Sequence, residues 1–133
     1  MNGLNHLRST VVYKISATVS FAAAHNLRGY EGACEQLHGH NWLVKATLAT
    51  EKLNTVGIAY DFKKLKQKLN DIIDRFDHQF LNQIPPFDQQ LNPTSENLAH
   101  YIFTELAKKL PPHIQVFSIE VGESHKYTAT YQP

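Results

Sequence analysis

Three things are scarce in this chain: paired cysteines, an excess of either charge, and long apolar runs. Its 133 residues include one cysteine, Cys34. No internal disulfide can form, and a free thiol suits a reducing compartment, so a cytoplasmic location is expected. Thirteen Lys and Arg stand against twelve Asp and Glu, a formal net charge of +1. No basic stripe interrupts that balance. This argues against nucleic acid or an anionic membrane as the main partner and leaves room for a local pocket that takes a small anion. No stretch approaches the roughly 20 apolar residues that span a bilayer. The opening MNGLNHLRST reads as a loose polar leader without a signal peptide. Apolar content of 42% and charged content of 19% are those of a globular protein, and the length suits one domain, 1–133.

What is present is histidine, eight in all. Three of them, with the cysteine, fall between Phe21 and Leu48. The surrounding pattern is that of strands. Tyr13, Ile15, Ala17, Val19, Phe21 and Ala23 alternate with polar residues, and Trp42, Val44, Ala46 and Leu48 do the same between His38 and Thr50. A loop with glycine and charge lies between the two, from Asn26 to Gln36. DFKKLKQKLNDIIDRF repeats Phe62, Leu65, Leu69, Ile72, Ile73 and Phe76 at helical spacing behind an Asp61 cap. TSENLAHYIFTELAKKL does so with Leu98, Tyr101, Ile102, Leu106 and Leu110 behind Thr94 or Ser95, and is stopped by Pro111 and Pro112. IQVFSIEVG and KYTATY read as two closing strands. The order ββααββ predicts an α+β fold: a four-stranded antiparallel sheet with two helices on one face. Such a sheet keeps two open edges, which predicts a homo-oligomer in which strands of several copies close a barrel.

Residues two apart on a strand share a face. His38 and His40 therefore point the same way, and a hairpin returns His25 beside them. Three imidazoles on rigid strands suit Zn2+ with a fourth position left open, although imidazole alone also accepts iron, nickel or copper. Cys34, four residues before His38, is either a small buried residue or a thiol lowered in pKa by a neighbouring cation. Asp77 and His78 are adjacent, and a carboxylate that orients an imidazole can relay a thiol proton. Glu123 falls in line with Ile119 and Val121; it is a strand-end residue in solvent or an anchor for a ring with two adjacent N–H donors. His6, His100, His113 and His125 read as surface residues.

Together the segments SFAAAHNL, CEQLHGH, YDFKKLK, DHQFLN, NPTSENLA and VGES, spread from Val11 to Tyr131, resemble the 6-pyruvoyl-tetrahydropterin synthase / 6-carboxy-tetrahydropterin synthase family. Cysteine, three residues, then H-G-H is most similar to the bacterial 6-carboxy-tetrahydropterin synthases of queuosine precursor synthesis. The resemblance implies a tunnelling fold (T-fold) whose trimers form barrels and stack into a hexamer. It implies zinc on His25, His38 and His40, proton transfer by Cys34, Asp77 and His78, and pterin anchoring by Glu123. The implied reaction converts 7,8-dihydroneopterin triphosphate to 6-carboxy-5,6,7,8-tetrahydropterin, acetaldehyde and triphosphate. Asn26 stands where the family usually has arginine, and Gly122 where it often has a bulky aromatic. Arg28 and Lys126 are candidate phosphate contacts. Two other functions fit the same residues: a pyruvoyl-forming or side-chain-cleaving enzyme on that substrate, with Glu35 as acid or base, and a non-catalytic module in which Cys34 closes a structural zinc site.

Overall fold

The computed structural model describes residues 12–29 and 36–133. Two long strands, β1 (Tyr13–His25) and β2 (His38–Thr50), pair antiparallel along their whole length. Helix α1 (Phe62–Ile73) follows, then the two-residue strand β3 (Gln79–Phe80) and a single 3-10 turn, Leu81–Gln83. Helix α2 (Ser95–Ala107) leads to β4 (Gln115–Gly122) and β5 (Thr128–Tyr131). The sheet order is β3-β1-β2-β4-β5. All neighbours are antiparallel except β3, which runs parallel to β1 through Ala23 and Ala24. The expected four strands are therefore joined by a fifth. Two residues are too few to carry an alternation, which is why no periodicity announced it.

Alternation places one side of the sheet against the helices. Val19, Phe21, Ala23, Trp42, Val44, Ala46, Leu48, Ile119 and Val121 are all buried there. The helices answer with Leu65, Leu69, Ile72 and Ile73 from α1 and Leu98, Ala99, Ile102 and Leu106 from α2. Phe62, in line with the α1 stripe, is instead 62% exposed, because the first helical turn overhangs the core. Each helix begins where its cap residue requires. An Asp61 carboxylate oxygen accepts from the Lys63 and Lys64 amides, and the Thr94 hydroxyl accepts from Asn97 N at 3.0 Å. Arg75, just past α1, donates to the Tyr101 hydroxyl on α2 at 2.6 Å and to the Pro85 carbonyl.

This arrangement ranks two substitutions. Ile102→Ala empties a fully buried position and should lower the unfolding free energy by about 2–5 kcal/mol. Asp61→Ala removes an exposed cap and should cost about 1 kcal/mol. Urea denaturation of both variants checks the order, and the reverse order would contradict the core described above.

Candidate metal centre

The β1–β2 register pairs His25 with His38 and Ala23 with His40. All three imidazoles therefore emerge on the helix side of the sheet, at its end, where the apolar core stops. The ring centroids lie 4.5 Å (His25–His38), 5.1 Å (His25–His40) and 4.8 Å (His38–His40) apart. Trp42, fully buried, forms the floor, with its indole edge-on to His25 and His40 and its Nε1–H donated to the Ala23 carbonyl at 3.2 Å.

Backbone carbonyls orient two of the rings. His25 Nδ1 is 2.7 Å from the Pro93 carbonyl and His38 Nδ1 is 2.7 Å from the Gln36 carbonyl. A carbonyl can only accept, so Nδ1 carries the proton in both rings and Nε2 is left with its lone pair. Those two Nε2 atoms face each other at 3.1 Å. Two lone pairs at that distance repel unless a cation lies between them. The third ring's Nε2, on His40, is buried and makes no hydrogen bond of suitable geometry among the described residues, although the Glu123 carboxylate lies against it. A tetrahedral ion with bonds of about 2.0–2.1 Å sets its ligands about 3.3 Å apart, close to the spacing found. The residues fit a metal such as zinc. Burial is the main reason the His25 and His40 rings sit below the ordinary imidazole pKa. At His25 the Pro93 carbonyl opposes that shift, His38 and His40 reinforce it, and Glu123 opposes it. At His40 Glu123 opposes it and His38 reinforces it.

Glu123 follows the last residue of β4, and its carboxylate Oε2 reaches His40 Nε2 at 2.5 Å and His25 Nε2 at 3.4 Å. His25, His38, His40 and Glu123 thus offer four ligand atoms within 4.8 Å of one another. Asp77 and His78 are not among these four ligands. Asp77 Oδ1 accepts from Ala22 N at 2.9 Å, and His78 N donates to the Ala22 carbonyl at 2.6 Å. This clip on the edge of β1 holds His78 at φ 60°, a conformation that non-glycine residues rarely adopt. The His78 ring is 80% exposed and 3.1 Å from the Asp77 carboxylate. The Ala22 amide chiefly, and then His78, hold the Asp77 carboxyl below its usual pKa against the effect of burial. His78 and His40 border one surface depression of about 490 Å³, with Ala22, Gly39, Asn41 and Phe80 among its walls. Cys34 and Glu35 lie outside the described residues.

Sequence reasoning did not find the carbonyls that orient the rings, nor the asparagines that hold the chain leaving β1. Asn92 exchanges two hydrogen bonds with the backbone of Arg28, and Asn82 exchanges two with that of Asn26. The segment NPTSENLA thereby ties the chain leaving β1 to the start of α2. Arg28 donates its guanidinium to the Phe87 and Leu91 carbonyls at 2.8 and 2.6 Å, which makes it part of this scaffold.

An α+β sheet with a histidine cluster at its end marks this chain as a candidate metal-binding protein. The sequence profile described as 6-pyruvoyl tetrahydropterin synthase matches residues 14–133. The chain belongs to the 6-pyruvoyl tetrahydropterin synthase family, whose members are enzymes. A 6-carboxy-5,6,7,8-tetrahydropterin synthase of Synechocystis is 34% identical over 126 residues, covering 91% of this chain and 92% of that one. A dihydroneopterin monophosphate aldolase of Pyrococcus furiosus is 29% identical over 121 residues, covering 91% and 95%. The structure of the Caenorhabditis elegans 6-pyruvoyl tetrahydropterin synthase superposes with a TM-score of 0.80 at 29% identity, covering 93% and 97%. The fold is the T-fold of that family. Among the described residues no helix is long and apolar enough to cross a membrane.

Metal-free protein titrated with Zn2+ at pH 7 should bind one ion per chain. Few protons should be released, because the lowered His25 and His40 pKa values leave both rings already neutral. The ion should be held into mild acid and lost as the rings protonate. Calorimetry in two buffers of different ionisation heat measures both quantities, and His25→Ala should abolish the uptake. Failure of the parent to bind would remove the centre.

Proposed function

We propose that the chain is a zinc-dependent 6-carboxy-5,6,7,8-tetrahydropterin synthase. It would take 7,8-dihydroneopterin triphosphate and water to 6-carboxy-tetrahydropterin, acetaldehyde and triphosphate, in the route to queuosine. The observation that carries the reading is the convergence of three imidazole rings beside a carboxylate in a chain of this family. Bound zinc supplies Lewis acidity toward the side-chain oxygens and any enolate-like charge that develops. Glu123 accepts two N–H groups of the pterin ring and so sets its orientation. Cys34 moves protons on the side-chain carbons, and His78, oriented by Asp77, exchanges protons with it. The electron-poor ring is the substrate's own electron sink.

The sheet edges support a homo-oligomer. β3 pairs only with Ala23 and Ala24, so β1 from Tyr13 to Ala22 has no strand beside it on that side among the described residues. An edge of that length favours pairing with another copy, in keeping with trimeric barrels stacked into a hexamer.

The aldolase relative favours a second reading, cleavage to a hydroxymethyl pterin, with Glu35 beside Cys34 as the acid or base. Mass spectrometry of the products separates the two. Acetaldehyde with a carboxypterin is expected, and glycolaldehyde with hydroxymethyl pterin would transfer the assignment to the cleavage reaction. Cys34→Ala should keep zinc and fold while losing turnover by about 10²–10⁴-fold. Loss of zinc and unfolding in that variant would instead mark a structural site.

A further inference from the structure

Glu123 reaches the imidazoles because of the residue before it. Gly122 is buried at the end of β4, and a Cβ added there would stand 2.7 Å from the Ser124 carbonyl oxygen, 2.9 Å from the Tyr127 carbonyl oxygen and 2.9 Å from Thr128 Cγ2. Two of those three atoms are backbone, which no rotamer change can move aside. The turn that joins β4 to β5 therefore folds over a position that holds no side chain. The first residue of that turn is Glu123. Its Oε2 lies 3.4 Å from His25 Nε2, near the spacing of about 3.3 Å expected between ligands of a tetrahedral ion. From His40 Nε2 it lies 2.5 Å, closer than two ligands sit. Glu123 makes no such approach to His38, so a shift of its carboxylate by about 1 Å, away from His40 and toward His38, would complete a four-ligand set. The Glu123 side chain is 38% exposed, so it has room to leave.

We infer that Glu123 is a detachable fourth ligand. In the resting protein its carboxylate caps a divalent ion held by His25, His38 and His40. A ring offering two adjacent N–H donors draws the carboxylate away and opens the fourth coordination position as the ring is seated. The inference rests on the metal centre and on the ring-anchoring role proposed above. One carboxylate serves both uses and cannot serve them together. Sites closed by four protein ligands are normally structural, and those with an open position catalytic; the exchange converts one into the other. Linkage makes the effect reciprocal: the ring weakens metal retention as much as the metal weakens ring binding.

Cobalt-loaded protein tests this through metal affinity and visible spectrum, with no turnover required. Glu123→Gln should hold Co2+ about 10–100-fold less tightly in chelator competition, the scale seen when a supporting group is removed from a metal site. Its d–d bands should also differ from the parent's. Pterin lacking a side chain, which brings no side-chain oxygen to the metal, should shift the parent spectrum and leave that of Glu123→Gln unmoved. Gly122→Ala should weaken retention in the same direction with the carboxylate intact, as the turn is forced outward. Circular dichroism and thermal melts confirm that each variant is folded. Equal Co2+ retention by Glu123→Gln and the parent would overturn the cap. A parent spectrum indifferent to the ring would overturn the exchange. Neither readout depends on which aldehyde the enzyme releases, so the two proposals fail separately.

Discussion

The pairing of β1 with β2 governs the rest. Each strand contributes thirteen residues, and their ladder is unbroken from Tyr13↔Thr50 to His25↔His38. Strand side chains alternate with a period of two, so a slip of one residue in β2 would send His38, His40, Trp42, Val44, Ala46 and Leu48 to the opposite face together. The apolar core and the imidazole cluster are therefore positioned by the same register. Burying Trp42, Val44 and Ala46 completely is the large favourable contribution, and the site benefits from the specificity it enforces. The candidate metal centre sits at the end of a ladder whose middle is fixed by packing.

Around that ladder the loops act as fittings. The Asn82 and Asn92 side chains use amide N–H and C=O to imitate a neighbouring strand for the backbone of Asn26 and Arg28. Pro93 has no N–H, yet its carbonyl receives His25, and the next residue caps α2. Asp77 and His78 do for Ala22 what the asparagines do for the chain after β1. The backbone from Ala22 to Arg28, the end of β1 and the chain leaving it, is thus held by three separate polar clasps.

Much of this could be read from the amino acids. The alternation in β1 and β2, the helical stripes and the Asp61 and Thr94 caps are local patterns, and they survive in the folded chain because packing agrees with them. The pairing of His38 with His40 across Gly39 follows from strand geometry alone. Other features had no local signature. β3 is too short to show a period. Phe62 fits the helical stripe but lies beyond the reach of the core. The Gln36 and Pro93 contributions are backbone carbonyls, which any residue supplies, so only their placement in space reveals them. Glu123 could be assigned to a strand face, but its approach to His40 depends on how the turn after Gly122 closes.

The carbonyls of Pro93 and Gln36 have a bearing on which ions suit this site. They hold two rings at set angles independently of any cation, so the donor atoms are offered in one geometry and the ion must accept it. Magnesium and calcium demand a shell of six or more oxygens and shed water reluctantly. A compact cage dominated by nitrogen offers them little. Such a donor set would suit borderline-soft ions that tolerate low coordination number, and would disfavour the abundant hard cations before any of them arrives.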